Sequence, residues 1–250
     1  LNNGFNPSST LTGSNVITLP DTVTELTNYA NQKCNGQDAV TLQTAFALSC
    51  NTAFVEMSEQ LGADELRKYA KAFGVGENYD LGVSTSAGTL GDLPDGAATA
   101  QSAIGQRDVT MTALQAAVMA GTVANKGTRM QPYLVNRITD AQMKDIRTTK
   151  PKKADQAVNE ETAATLTDLM YASERSSAGY DGNGFASKTG TAEHGEGLAP
   201  HVWYVAFDPE RDIAVGVVVK NGGNLGESAT GGKVSGPIGR AILRAYQGEQ

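Results

Sequence analysis

The 250-residue chain, of which 40% is hydrophobic, is long enough for one large domain or two closely packed subdomains. A net charge of −7 without a basic stripe excludes a nucleic-acid binder, because such proteins meet phosphates with Lys and Arg. No apolar run approaches the ~20 residues that span a bilayer. The two histidines and two cysteines lack the spacing of a metal site, so we expect neither a metal nor a cofactor.

The first part of the chain is predicted to pass from loops into helices. Residues 1–40 are rich in Asn, Thr, Ser and Gly, which indicates loops and short strands on a surface. One or two helices follow, and Gly62 interrupts them. Their buried stripe consists of Leu42, Phe46, Cys50, Phe54, Met57 and Leu61. A further helix through Phe73 precedes residues 75–100, which are predicted to form a long loop.

The middle of the chain is predicted to hold two helices around a short extended stretch. Thr110 or Thr112 caps the first helix, which ends at Asn125. The extended stretch begins at residues 131–135, and the second helix runs from about residue 160 to 175.

The last third is predicted to form an antiparallel sheet. Three segments, at 186–192, 201–207 and 213–219, are predicted to be strands, and the turn at 208–212 joins the last two as a hairpin. The two hairpin strands are apolar on both faces, which is typical of a sheet covered by helices on both sides. A final helix near residues 238–245 is expected to cover one face.

Two short motifs combine residue types used in acyl transfer: Ser49-Cys50-Asn51 and Lys188-Thr189-Gly190-Thr191. Each is weak alone, since a Lys-Ser/Thr-Gly triplet arises by chance in roughly one protein of this size in ten. Each also has a plain structural explanation: Ser49 or Asn51 caps a helix, Lys188 is a solvated edge residue, and Gly190 is a bulge. Their order and their context, helical for the first and a strand for the second, favour a common site.

With these motifs the chain resembles the transpeptidase domain of class B (monofunctional) penicillin-binding proteins of the actinobacterial type, whose motif set is Ser-x-x-Lys, Ser-x-Asn and Lys-Thr-Gly. The best stretches are TLQTAFALSCNTAF, IGQRDVTMTALQAAVMAGTVANKGTRMQPYLV and ASKTGTAEHGEGLAPHVWYVAF. The resemblance implies an α/β (α+β) fold of the β-lactamase-like type, with an antiparallel sheet flanked by helices and a helical subdomain. It assigns residues 1–250 to one transpeptidase domain, with the helical subdomain at about 20–175 and the α/β subdomain at about 176–250.

The resemblance also implies catalytic roles for Ser49, Asn51 and Lys188. Ser49 relays a proton toward the nitrogen of the leaving group. Asn51 hydrogen-bonds the substrate amide and orients a catalytic lysine. Lys188 holds Ser49 by a hydrogen bond and attracts a carboxylate, so its ammonium should lie within roughly 3 Å of the Ser49 hydroxyl, or slightly more.

The remaining motif residues are implied to bind substrate. Thr189 and Thr191 bind a carboxylate through hydroxyls that point into the same groove, and the Thr191 N–H is a candidate oxyanion donor. Gly190 leaves the backbone open for a substrate strand. His194 lies close by, but the scheme of the family does not require it as a base.

The cysteines, Cys34 and Cys50, stand 16 positions apart. Their spacing alone allows two buried thiols or one disulfide. The family is exported and Cys50 adjoins Ser49, so the resemblance implies a Cys34–Cys50 disulfide in an oxidising, extracytoplasmic setting.

No serine in the chain is followed by a lysine three positions later. The resemblance therefore puts the nucleophilic serine before Leu1, together with an N-terminal domain and a membrane anchor, and Leu1 within ~20 Å of the groove. The full-length protein is expected to be a cell-membrane-anchored peptidoglycan D,D-transpeptidase that binds stem peptides and β-lactams, and elongation or division proteins are possible partners. The chain alone is expected to be inactive.

Two rival functions stay open from the sequence. One is a β-lactamase, although no Glu-x-x-Leu-Asn segment of the class A type is present. The other is a catalytically silent β-lactam sensor or a scaffold of the division machinery. A Ser-x-x-Lys upstream of Leu1 would favour an enzyme.

Overall fold

The computed structural model describes residues 1–195 and 197–248. In chain order the elements are β1 (Thr10–Thr12), β2 (Val16–Thr18), β3 (Glu25–Thr27), β4 (Ala39–Thr41), α1 (Leu42–Leu48), α2 (Asn51–Ala72), α3 (Gly96–Ala103), α4 (Ala113–Ala124), β5 (Thr128–Met130), β6 (Arg137–Thr139), β7 (Asp145–Thr148), β8 (Lys153–Gln156), α5 (Glu160–Ser176), β9 (Ala186–Ala192), β10 (His201–Asp208), β11 (Ile213–Val219) and α6 (Ser235–Gly248). Glu196, within the third stretch of the family resemblance, lies outside the described residues.

The last third forms the predicted sheet, in the order β11-β10-β9 with both pairings antiparallel. Tyr204, in the middle of β10, pairs with Val217 on one side and with Thr189 on the other. All three predicted strands are confirmed. β9, which carries the Lys-Thr-Gly motif, is an edge strand of this sheet.

Helices cover both faces of the sheet. On one face, Phe207 of β10 packs with Val123 of α4 and Met170 of α5. On the other, Tyr204 and Leu243 of α6 share a core cluster. α4 and α5, which the sequence assigns to the helical subdomain, thus pack directly on the sheet, and the division into two subdomains near residue 175 stays a prediction.

The N-terminal segment is more buried than the sequence indicated. Residues 1–40 do contain the predicted short strands, β1 to β4. However, Leu11, Cys34 and Val40 are at most 5% exposed and form a core cluster with residues of α1 and α2, and with Cys50. Leu1 packs against the same cluster. The composition missed this because only isolated apolar residues in the segment are turned inward.

Two local predictions were wrong. Residues 75–100 are not wholly a loop, because α3 begins at Gly96 and is capped by Asp95, whose side chain accepts from the Ala98 N–H at 2.7 Å. The Ala, Thr and Ser residues of α3 show no helical periodicity of apolar side chains, so no helix was predicted there. The extended stretch expected from residue 131 lies earlier, at β5. Pro132 follows two positions after the end of β5, and it has no N–H for a strand pairing.

Helix boundaries elsewhere agree closely with the sequence. Thr112 caps α4 in a reciprocal capping box with Gln115, as one of the two predicted caps. Gly62 interrupts α2 with φ 77° and ψ 171°, outside helical geometry. Across the described residues, no helix is both long and apolar enough to cross a membrane.

Candidate active site

The Ser-Cys-Asn motif forms the turn between α1 and α2. Ser49 follows α1 with φ 57° and ψ 48°, a left-handed conformation that few non-glycine residues adopt. The Cys50 N–H donates to the Ala45 carbonyl at 3.0 Å, and α2 begins at Asn51. Such a backbone costs roughly 1–3 kcal/mol and persists where the surrounding structure holds it. The turn leaves Ser49 exposed.

The expected disulfide is present and anchors the turn that carries Ser49. Cys34 and Cys50 are bonded, with their Cα atoms 5.7 Å apart. Both are at most 4% exposed. A cross-link over 16 residues stabilises the fold by on the order of 3 kcal/mol through the unfolded state. Because Cys50 stands between Ser49 and Asn51, the bridge restrains both.

Lys188 meets the turn from the edge strand. Its ammonium donates a hydrogen bond to the Ser49 Oγ and a second, of 2.8 Å, to the Thr189 carbonyl. The Nζ also lies 5.8 Å from the centroid of the Phe46 ring. The two motifs, 139 positions apart in sequence, therefore converge, as the sequence required.

The Lys188 side chain is half-buried and, among the described residues, has no neighbouring counter-charge. Burial lowers the pKa of Lys188 from its usual 10.5 to about 8, because desolvation disfavours the charged form. Within the described part of the chain, no carboxylate forms an ion pair with it. At such a pKa, about a tenth of the lysine is neutral at pH 7, so both protonation states are accessible.

The substrate-binding residues assigned by the sequence follow on β9. Register pairs Lys188 with Val205 and Thr189 with Tyr204, and these two β10 residues face opposite sides of the sheet. Thr189 and Thr191 therefore leave the strand on the face opposite Lys188. That their hydroxyls reach the same groove stays a prediction. What the three residues share is the outer edge of β9.

The edge is shaped by two close glycine contacts. Gly190 pairs with Trp203, and a Cβ on Gly190 would lie 3.3 Å from the Trp203 Cβ. Gly231 lies over the other face, where a Cβ would come within 2.4 Å of the Trp203 carbonyl oxygen and 2.9 Å of the Thr189 Cβ. The segment before α6 can lie against the motif only because Gly231 has no side chain.

Two further residues were considered from sequence. The Asn51 amide donates to the Thr27 carbonyl at 3.0 Å, which ties the motif to β3.

His194 Nε2 bonds the Ala199 carbonyl at 2.9 Å, and its ring lies against that of His201 with centroids 4.0 Å apart. His194 thus braces the loop between β9 and β10. No group of three or more His, Cys, Asp or Glu among the described residues is placed to hold a metal.

Sequence reasoning missed Phe46 and Glu174. The sequence predicts only a core position for Phe46, yet its ring faces the Lys188 ammonium. Glu174 is 1% exposed and lies behind the edge strand. A signal was available: Glu174 continues the apolar stripe of Ala163, Leu166 and Met170 on α5, and a charge at a core position is unusual unless it is paired.

The structure thus combines a helix-covered antiparallel sheet with a hydrogen bond from a lysine on its edge strand to a serine between two helices. This combination defines the penicillin-recognising serine-enzyme fold. A family model, the penicillin-binding protein transpeptidase domain, matches residues 1–244. The chain belongs to this family.

Curated relatives agree with the family. The chain is 43% identical to the peptidoglycan D,D-transpeptidase PbpA of Mycolicibacterium smegmatis over 97% of its own length. It is 41% identical to PbpA of Mycobacterium tuberculosis over 98%. It covers 51% and 52% of these relatives, so it spans about half of their length.

Solved structures show the same fold. The chain is similar to penicillin-binding protein A from M. tuberculosis in its ceftriaxone acyl-enzyme complex, with a TM-score of 0.93 and 40% identity over 98% of this chain and 57% of that one. The penicillin G acyl-enzyme complex gives 0.92, with the same identity and coverage. A transpeptidase domain from Eggerthella lenta, with a TM-score of 0.82 at 22% identity over 100% of this chain and 62% of that one, shares the fold.

Proposed function

We propose that the full-length protein containing this chain is a peptidoglycan D,D-transpeptidase that cross-links stem peptides through a serine acyl-enzyme and is acylated by β-lactams. The observation that carries the proposal is the hydrogen bond from Lys188 to Ser49, which joins two motifs in the geometry that acyl transfer requires. The relatives named peptidoglycan D,D-transpeptidase and the β-lactam acyl-enzymes of similar fold support it.

The reaction needs a nucleophile outside this chain. We place it on a serine followed three positions later by a lysine, a pattern that none of the serines here has. Its oxygen attacks the substrate carbonyl carbon, an ester C–O bond forms, and the C–N bond to the leaving amine breaks. The attacking serine gives up its proton to the lysine of that pattern, and Ser49 relays the proton to the departing nitrogen. The amine of a second stem peptide then attacks the ester: the new C–N bond forms as the C–O bond breaks, and the proton that the amine loses returns to the serine oxygen.

The residues of this chain prepare that transfer. Lys188 orients the Ser49 hydroxyl and, when charged, attracts the substrate carboxylate into a partly desolvated site, where the attraction is stronger than in water. Asn51 receives the substrate amide, and its bond to Thr27 holds it at the rim until then. The edge of β9 accepts the substrate as an added strand.

Thr189, Gly190 and Thr191 complete the clamp in this proposal. The two hydroxyls bind the substrate carboxylate as it crosses the edge of the strand. The Thr191 N–H is the candidate donor to the oxyanion that forms at the attacked carbonyl. Gly190 keeps the path along the strand clear of a side chain.

The proposed location is the outer side of the cell membrane, with an anchor in the part of the protein outside this chain. The Cys34–Cys50 disulfide supports it, because such bonds persist in oxidising compartments. Elongation or division proteins as partners stay a prediction.

The test is acylation of the full-length protein by a fluorescent penicillin. Lys188→Ala should slow labelling by at least about a hundredfold, because it removes both the orienting bond and the charge. Lys150→Ala is the control, since Lys150 is an exposed lysine between β7 and β8. A Lys188→Ala protein that labels at the rate of the control would refute the proposed role.

A further inference from the structure

Behind the Lys-Thr-Gly strand lies a fully buried carboxylate with four hydrogen-bond donors. Glu174 Oε1 accepts from Arg240 Nε at 2.6 Å and from Asn183 Nδ2 at 2.9 Å. Its Oε2 accepts from Tyr204 OH at 3.0 Å and from Ser187 Oγ. Each donor belongs to a different segment: α6, the loop before β9, β10 and β9.

This carboxylate is ionised despite its burial. Desolvation alone raises the pKa of Glu174, but the hydrogen bonds from Arg240, Ser187 and Asn183 outweigh it and hold the pKa below its ordinary value. Arg240 is itself only 2% exposed and also donates to the Ala178 carbonyl at 3.0 Å. Hydrogen bonds to an ionised acceptor are roughly twice as strong as neutral ones, so they hold the four donor segments firmly together. We call Glu174 and its four donors the Glu174 cluster.

The Glu174 cluster contacts β9 at Ser187, one residue before the active-site Lys188. Ser187 immediately precedes Lys188 and has no exposed surface. The two side chains point to opposite faces of β9, since Ser187 pairs with Ala206 and Lys188 with Val205. A displacement of the Ser187 backbone therefore moves the Lys188 backbone with it, while the Glu174 carboxylate contacts neither Ser49 nor Lys188.

We propose that Glu174 is a positioning residue for the acyl-transfer site: through the Ser187 hydroxyl it fixes the edge strand so that the Lys188 ammonium meets Ser49. The inference rests on the proposed function, because it concerns the placement of Lys188. It assigns Glu174 and Ser187 a share in the acylation rate although neither touches substrate.

The experiment compares two variants that each remove one hydroxyl donor from the same oxygen of Glu174. Ser187→Ala removes the donor on β9, and Tyr204→Phe removes the donor on β10. Both leave the charge of Glu174 paired with Arg240, whereas Glu174→Gln would leave a buried arginine without its anion and risk misfolding. The two deletions are matched in chemistry and burial, and only Ser187 adjoins Lys188.

The readout is the acylation rate constant of the full-length protein with a fluorescent penicillin, normalised to the fraction labelled at saturation. That fraction falls when part of the protein is unfolded, while the rate constant reports the folded molecules alone. Ser187→Ala should lower the rate constant by about 10- to 100-fold, the effect of a displaced reacting group. Tyr204→Phe should stay within about threefold of the wild type. The pH profile should shift in Ser187→Ala only.

Equal rate constants and equal pH profiles for the two variants would overturn the inference and leave Glu174 a stabilising residue. Lys188→Ala, measured alongside, separates this failure from that of the proposed function. If Lys188→Ala is inactive and the two hydroxyl variants are alike, the positioning role alone fails. If Lys188→Ala acylates normally, the proposed function of the site fails, and the positioning role fails with it.

Discussion

Replacing Lys188 by methionine should stabilise the domain while removing its activity. Methionine fills a similar volume without a charge. The pKa of Lys188 falls from 10.5 to about 8, and at 1.36 kcal/mol per pKa unit the buried charge costs up to ~3 kcal/mol at neutral pH. The lost hydrogen bonds to Ser49 and the Thr189 carbonyl offset about 1 kcal/mol each. The net gain is ~1 kcal/mol, or about 2–4 °C in melting temperature.

The difference in stability between Lys188→Met and the wild type should depend on pH. Below pH ~8 the lysine is charged in both the folded and unfolded states, and the full penalty of the native state is present. Between pH ~8 and ~10.5 the native state releases its proton first, so the unfolded state binds more protons and the wild type gains stability as pH rises. The stability difference between Lys188→Met and the wild type should therefore change by about 2 kcal/mol between pH 7 and pH 9.5, so that an advantage of ~1 kcal/mol for the variant becomes a deficit of ~1 kcal/mol.

The assay is thermal and denaturant unfolding of the full-length protein at both pH values. The transition that a β-lactam shifts upward in the wild type identifies this domain, because binding stabilises the folded state. Lys150→Met serves as the control, since Lys150 is exposed and should show no pH-dependent difference. A difference between Lys188→Met and wild type that is the same at pH 7 and pH 9.5 would refute the buried-charge reasoning.

Two other predictions concern the frame of the site. Changing Cys34 and Cys50 together to serine should lower the free energy of unfolding by on the order of 3 kcal/mol, as should reduction of the wild type; an unchanged denaturant midpoint would contradict a structural bridge. Gly231→Ala should slow acylation and lower the melting temperature by several degrees, because its Cβ would lie 2.4 Å from a carbonyl oxygen of β10. Gly184→Ala, whose Cβ meets nothing within 4 Å, is the control, and equal effects of the two changes would contradict this account.

Regular elements followed from the sequence where periodicity and caps agreed. The hairpin strands and the helix begun by Thr112 were predicted because each carries a clear apolar pattern or cap. α3 was missed because Ala, Thr and Ser carry little pattern. Burial of Leu11 was missed because a single apolar residue in a polar segment has no period.

Some features of the site could likewise be predicted from the sequence, and others could not. The residue types of Ser49 and Lys188 suggested a chemistry, but their convergence rested on the family resemblance, since nothing local to either motif specifies a contact 139 positions away. That Lys188 and Thr189 leave β9 on opposite faces follows from the period of two of a strand. The Glu174 cluster depends on how four segments pack, which no single stretch of sequence encodes.

The most direct test of the acyl-transfer site is a crystal structure of the full-length protein acylated by a β-lactam. The account predicts an ester on a serine outside this chain, with Lys188 Nζ within about 3.5 Å of Ser49 Oγ and the drug lying along the edge of β9 beside Thr189 and Thr191. An adduct elsewhere, or Ser49 and Lys188 more than about 8 Å apart and so far beyond hydrogen-bonding range, would contradict it.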